Sequence, residues 1–122
     1  MKKRQCERFL IPGSTLYYKN KPRLFINRKY SMDYFPIINM SRGGLKFLCN
    51  ERLRTGQCIV IKLNIPGVNH HPEVLADVRW VSKNLEQSYR YQTGVGFHSY
   101  GKGKNDNPLE ILILFKMLEK RK

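Results

Sequence analysis

The sequence is poor in acid. Nine Asp and Glu stand against 23 Lys and Arg, for a formal charge of +14 and a pI near 10.0. A surface so one-sided repels itself unless an anion sits among its charges. Nucleic acid, a nucleotide or an anionic membrane are therefore the natural partners. Cysteine is scarce as well. Cys6, Cys49 and Cys58 are odd in number and lack paired spacing, which argues against a disulfide framework and fits a reducing, cytoplasmic setting. No apolar run is longer than Ile111 to Phe115, far short of the ~20 residues that cross a bilayer, so no membrane insertion is expected. The basic start leads into no signal-peptide core. Internal repeats and low-complexity runs are absent. No zinc-ligand spacing joins the cysteines to His70, His71 and His98. No Ser, His and Asp set suggests a nucleophile, and the few carboxylates form no acid–base pair. The expectation is thus no metal, no cofactor and no enzyme.

What is present fits one globular domain: 122 residues, 41% of them hydrophobic, with no room for two sizeable cores. The initiating Met and the lack of a tag fit a complete, stand-alone protein. Alternation and turn dipeptides divide the chain into short strands. Candidates are Ser14 to Lys19 after the Pro12-Gly13 turn, Tyr34 to Met40, Gly44 to Cys49, Gln57 to Ile65, Glu73 to Lys83 and Ser88 to His98. Pro36 marks an edge or a bulge in the second, and 24–33 reads as a hairpin extension or an ordered loop. Asn107 is a good N-cap, Pro108 suits the first helical position and Glu110 the capping-box position, so a helix runs from Pro108 to about Lys120. Short strands closed by one helix suggest a small antiparallel barrel. The expected organisation is a basic arm over 1–13, a barrel over 14–98 and a helix over 107–120.

Two constellations carry chemistry. Arg4 and Arg8 form an Arg-x-x-x-Arg pair before the first strand. Each guanidinium is a planar fork that grips a phosphate or the O6 and N7 edge of guanine, and it also stacks on a purine. The second is Asn39-Met-Ser41-Arg42-Gly43-Gly44, where a strand ends in a tight turn. Asn39 and Ser41 are two apart and share a face of an extended segment. Gly43 and Gly44 permit positive φ and a close approach of ligand to backbone. Taken separately, the first pair also fits a solvated basic tail, and the second a plain β-turn.

Together, Arg-x-x-x-Arg before the first strand and Asx-x-Ser-x-x-Gly about thirty residues later resemble the PilZ domain family. The likeness extends to the Gly44 to Leu48 strand, the Pro-Gly turn at Pro66, Gly94-Val-Gly-Phe97 and the C-terminal helix, and so covers essentially the whole chain. The resemblance implies a mainly β fold, a six-stranded antiparallel β-barrel with a C-terminal α-helix. It implies a bacterial receptor for the second messenger cyclic di-GMP. Arg4 and Arg8 would contact phosphate and guanine; Asn39, Ser41 and Gly44 would line the guanine pocket. The residue before the first motif arginine influences ligand number in the family. Here it is Lys3, whose charge would help to neutralise an intercalated ligand dimer. Arg42 would add a further contact. The expected mechanism is a switch: a mobile N-terminal arm is ordered by ligand and alters the surface offered to an effector protein.

Two other readings stay open. A basic barrel with tyrosines set among Lys and Arg also fits single-stranded nucleic acid, with bases stacked on exposed rings, although half of these tyrosines are expected to face the core. A PilZ-like adaptor without ligand, acting through its helix, is the other. Apolar residues from Leu109 to Leu118 wrap most of that helix, more than one packed face needs, so it also suits a homodimer or partner contact. Trp80 reads as core or edge packing.

Overall fold

The computed structural model describes residues 7–21, 29–85 and 88–121. Lys3, Arg4 and Cys6 lie outside them. Six segments follow the period-two burial of half-buried strands: β1 (Thr15–Asn20), β2 (Phe35–Ser41), β3 (Gly44–Cys49), β4 (Cys58–Asn64), β5 (Glu73–Lys83) and β6 (Tyr91–Phe97). Leu16 and Tyr18, Leu45 and Phe47, Ile59 and Ile61, Val74, Ala76 and Val78 turn inward, because alternate side chains of a strand point to opposite faces. Every pairing is antiparallel, and the sheet closes on itself in the order β1-β2-β3-β6-β5-β4. The expected six-stranded barrel is the observed one, with strand ends moved by a few residues.

Pro36 has the expected effect. It lacks an N–H, and β1 meets β2 at only two residue pairs, Thr15 with Pro36 and Leu16 with Phe35. A register shift follows between Ile37 and Asn39, a local irregularity of the kind a missing donor invites. Tyr18 is buried, and Tyr89, Tyr91 and Tyr100 pack partly buried against the core, so about half of the tyrosines face it, as expected. The Tyr18 hydroxyl donates to Glu51 Oε1 at 2.6 Å. Burial, and then this bond to a carboxylate, push its pKa far above the usual phenol range.

The helix, α1 (Leu109–Arg121), buries Ile111, Phe115 and Leu118 against the barrel. Phe115 stacks on Phe97 with ring centroids 5.2 Å apart. Leu109, Ile113 and Met117 are exposed, so the apolar surplus read from the sequence is real. Among the described residues, no helix is long and apolar enough to cross a membrane. One expectation fails at the helix start. The Asn107 side chain points away from α1 and into the barrel edge. Its Oδ1 accepts from Leu75 N–H at 2.7 Å, and its Nδ2 donates to the carbonyls of Leu75 and His98 at 3.0 and 3.1 Å. Asn107 is almost wholly buried there, and satisfying strand groups out of reach of water outweighs capping a helix end.

Candidate functional site

The outer face of β2, β3, β6 and β5 carries the chemistry, and strand register decides which residues meet. Asn39 pairs with Lys46, Lys46 with Gly94, and Gly94 with Trp80. The next row runs from Ser41 to Gly44 and on to Gly96. Between Val78 and Trp80 the register with β6 shifts, leaving Arg79 as the extra residue of a bulge. A bulge turns two successive side chains to one side, and Arg79 and Trp80 are both exposed. Trp80 is therefore neither core nor edge packing.

Two glycines form the floor beneath that pair. A Cβ on Gly94 would lie 2.2 Å from the Trp80 indole, and one on Gly96 would lie 2.5 Å from the Arg79 guanidinium. Only hydrogen on these α-carbons lets the two side chains lie flat on the sheet. The result is an open cleft of about 630 Å³ lined by Arg8, Asn39, Gly44, Lys46, Arg79 and Trp80, among others. Lys46 Nζ stands 6.0 Å from the centre of the Trp80 ring. Arg8, Lys46 and Arg79 bring three positive charges to the lining, which contains no carboxylate among the described residues. A second hollow, about 510 Å³, is lined by Asp33, Tyr34, Phe35, Asn50, Ser88 and Tyr89 and offers no cation among the described residues.

The N-terminal segment reaches the cleft through Phe9. That residue exchanges backbone hydrogen bonds with Met40 at 2.8 and 2.9 Å and is buried. This fixes Arg8 over β2, where its Nη1 donates to Asn39 Oδ1 at 2.8 Å. The two motifs of the sequence thus meet. The expectation of a loose arm does not hold at Arg8 and Phe9, because burying Phe9 and pairing it with β2 tie this part of the arm to the barrel. Arg4 and Lys3 lie outside the described residues.

The remaining motif residues sit differently. Ser41 is buried and serves the β2–β3 turn: its Oγ accepts from Gly43 N–H at 3.1 Å and donates to the Gly44 carbonyl at 3.5 Å. Arg42 turns towards α1, and its Nε and Nη2 donate to the two carboxylate oxygens of Glu119 at 3.1 and 3.2 Å. Its carbonyl accepts from the Tyr100 hydroxyl at 2.7 Å. Gly43 and Gly44 do not take positive φ; Gly13, Gly56 and Gly67 do. Gly44 is required for another reason. A Cβ there would lie 2.2 Å from the Val95 carbonyl oxygen, so the residue lets β3 and β6 close up beneath the cleft.

The PilZ domain family matches residues 2–110. The chain belongs to the PilZ domain family. Among curated proteins, none matches its sequence. Solved structures share the PilZ fold at low identity. The Bacillus subtilis inhibitor of motility MotI/DgrA has a TM-score of 0.61 at 15% identity, over 99% of this chain and 52% of that one. Escherichia coli YcgR in complex with c-di-GMP gives 0.59 at 14%, over 98% and 47%. The K. pneumonia MrkH–c-di-GMP complex gives 0.59 at 18%, over 99% and 55%. This PilZ chain spans about half the length of these proteins, and the likeness is one of fold. Sequence reasoning missed Arg79 and Trp80 as cleft residues. The spacing of Gly94 and Gly96 was the available signal, since glycine inside a strand marks close approach to the backbone.

Proposed function

We propose that this PilZ domain is a cytoplasmic receptor for cyclic di-GMP, and not an enzyme. The observation that carries the reading is the Arg8–Asn39 hydrogen bond, which unites Arg-x-x-x-Arg with Asn-x-Ser-x-x-Gly at a cationic cleft. A cyclic dinucleotide presents two phosphates, two guanine edges and extended aromatic faces. Arg4 and Arg8 take a phosphate and a guanine edge. Asn39 and the backbone at Gly44 meet the base, Ser41 holds the turn that presents them, and Trp80 and Arg79 offer stacking surfaces. The complexes of YcgR and MrkH with c-di-GMP support the ligand class.

In this reading the ligand bridges Arg4 and the barrel, and its contacts with both set in place the part of the arm that precedes the Arg8–Phe9 anchor. The Arg42–Glu119 pair links the motif turn to α1, so an effector protein or a second copy that docks on the exposed Leu109, Ile113 and Met117 senses the ligand. Lys3, beside Arg4, supplies charge for an intercalated ligand dimer.

Titration calorimetry with cyclic di-GMP tests the assignment. Each charge-assisted arginine bond contributes ~1.5–3 kcal/mol, so Arg8→Ala is expected to weaken binding roughly ten- to a hundred-fold. Equal affinity of parent and variant rejects the site. Two ligands per chain support the intercalated dimer, and one excludes it.

A further inference from the structure

Where β4, β5 and the end of β6 meet lies a second cluster, made by register and invisible in linear spacing. Cys58 on β4 stands directly opposite Asp77 on β5. His98 follows β6, and its backbone N–H donates to Leu75 at 3.0 Å, which sets the imidazole beside Asp77. Their neighbours Ile59, Ala76 and Val78 fill the core, so Cys58 and Asp77 face outward. Cys58 Sγ lies 3.6 Å from His98 Nε2, and Nε2 lies 3.0 Å from Asp77 Oδ1. The three donor atoms lie within 4.8 Å of one another, and all three residues are half-buried.

The other ring nitrogen decides how the cluster reads. His98 Nδ1 lies 2.9 Å from the Asn105 carbonyl. A carbonyl only accepts, so Nδ1 carries the proton. Without a metal, Nε2 donates in turn to the Asp77 carboxylate, which also only accepts; an ion bound there takes the place of that proton and meets the Nε2 lone pair of the neutral ring. A histidine anchored through one N–H to a backbone carbonyl, with its other nitrogen beside a thiol and a carboxylate, has the arrangement of a metal ligand with its supporting shell. The spacings agree. Zinc bonds of ~2.3 Å to sulfur and ~2.0 Å to nitrogen or oxygen put tetrahedral ligands about 3.3–3.5 Å apart. The mixture of sulfur, nitrogen and one oxygen suits a borderline-soft ion and not magnesium or calcium.

We propose that Cys58, Asp77 and His98 bind one divalent ion of the zinc class, with water completing the tetrahedron. The ion would join β4, β5 and the segment leading into α1. That segment is already held by the Asn105 bond to His98, by Lys21 Nζ donating to Asn105 Oδ1 at 2.6 Å, and by Asn107.

Cobalt(II) is the probe, because its bond to a thiolate gives a charge-transfer band and its four-coordinate complexes give intense visible bands. Chelator-stripped, untagged full chain is expected to develop both at one equivalent of cobalt, to lose them on zinc addition and to ignore magnesium. Cys58→Ser is expected to remove the charge-transfer band. His98→Gln is expected to weaken binding at least about tenfold, since the loss of a ligand costs no less than the loss of its supporting partner. His70→Gln and His71→Gln, both exposed on the β4–β5 loop, are expected to change nothing. Should Cys58→Ser fail to fold, Asp77→Asn gives the same reading through weaker binding with the fold kept. No charge-transfer band from the folded parent overturns the site. So does a band that survives Cys58→Ser in folded protein, or binding unaffected by Asp77→Asn. An imidazolium–carboxylate pair at His98 and Asp77 would give the first of these results.

Discussion

Trp80 lies flat across Gly94, so close that a single methyl group on that glycine would sit 2.2 Å from the indole ring. The contact depends on the bulge at Arg79, which turns Trp80 out of the core, and on the bare α-carbon beneath it. It builds one wall of the cationic cleft from a residue whose sequence surroundings suggest burial.

Gly94→Ala is therefore expected to lift the indole off the sheet. Overpacking of this kind costs ~1–3 kcal/mol. Trp80 is the chain's one tryptophan, so its emission reports the change directly. A red shift and a lowered Tm are expected. An unchanged spectrum would mean that the ring does not rest on Gly94.

Asn107 offers a test of strand support against helix capping. Asp caps helices as well as Asn does, so a capping role predicts that Asn107→Asp is nearly harmless. The observed geometry predicts the opposite. An Asp carboxylate cannot donate to the carbonyls of Leu75 and His98 that Asn107 Nδ2 now serves. The Leu75 carbonyl keeps the His98 N–H, but the His98 carbonyl loses its side-chain donor, and a buried group left unpaired costs ~1–3 kcal/mol. Asn107→Asp is expected to lose about that much in urea unfolding, and Asn107→Ala, which also strips the Leu75 N–H of its acceptor, more.

The Arg42–Glu119 pair joins the β2–β3 turn to α1 in bidentate geometry. The Arg42 side chain is 36% exposed and that of Glu119 15%, so water screens the pair. A double-mutant cycle with Arg42→Ala and Glu119→Ala is expected to return a coupling of ~0.5–1 kcal/mol. Zero coupling would remove this link between turn and helix.

The six strands and the helix were legible because alternation, turn dipeptides and an abrupt change of period are local properties. Barrel closure is not local; the run of short strands closed by one helix suggested it, and the family resemblance carried by Arg4, Arg8, Asn39, Ser41 and Gly44 implied the six strands. Three features escaped for physical reasons. A bulge has no periodic signature, so Trp80, in a strand beside Arg79 and Val81, reads as core or edge packing. Asn107 carries every local mark of an N-cap, yet the buried edge at Leu75 claims its side chain. Gly44 reads as a turn glycine, but the approach of Val95 sets its requirement, and β6 lies far along the chain. Arg42 and Glu119, 77 residues apart, likewise meet only after the barrel has closed.

Fluorescence of Trp80 during titration with cyclic di-GMP, with GTP as the control, tests the central claim most directly, because the reporter lies in the cleft itself. A saturable change in emission with cyclic di-GMP, much weaker with GTP and shifted to higher ligand concentration by Arg8→Ala, is the predicted result. A folded protein whose Trp80 emission is indifferent to cyclic di-GMP at concentrations that saturate binding by calorimetry would contradict it, as would the absence of binding altogether.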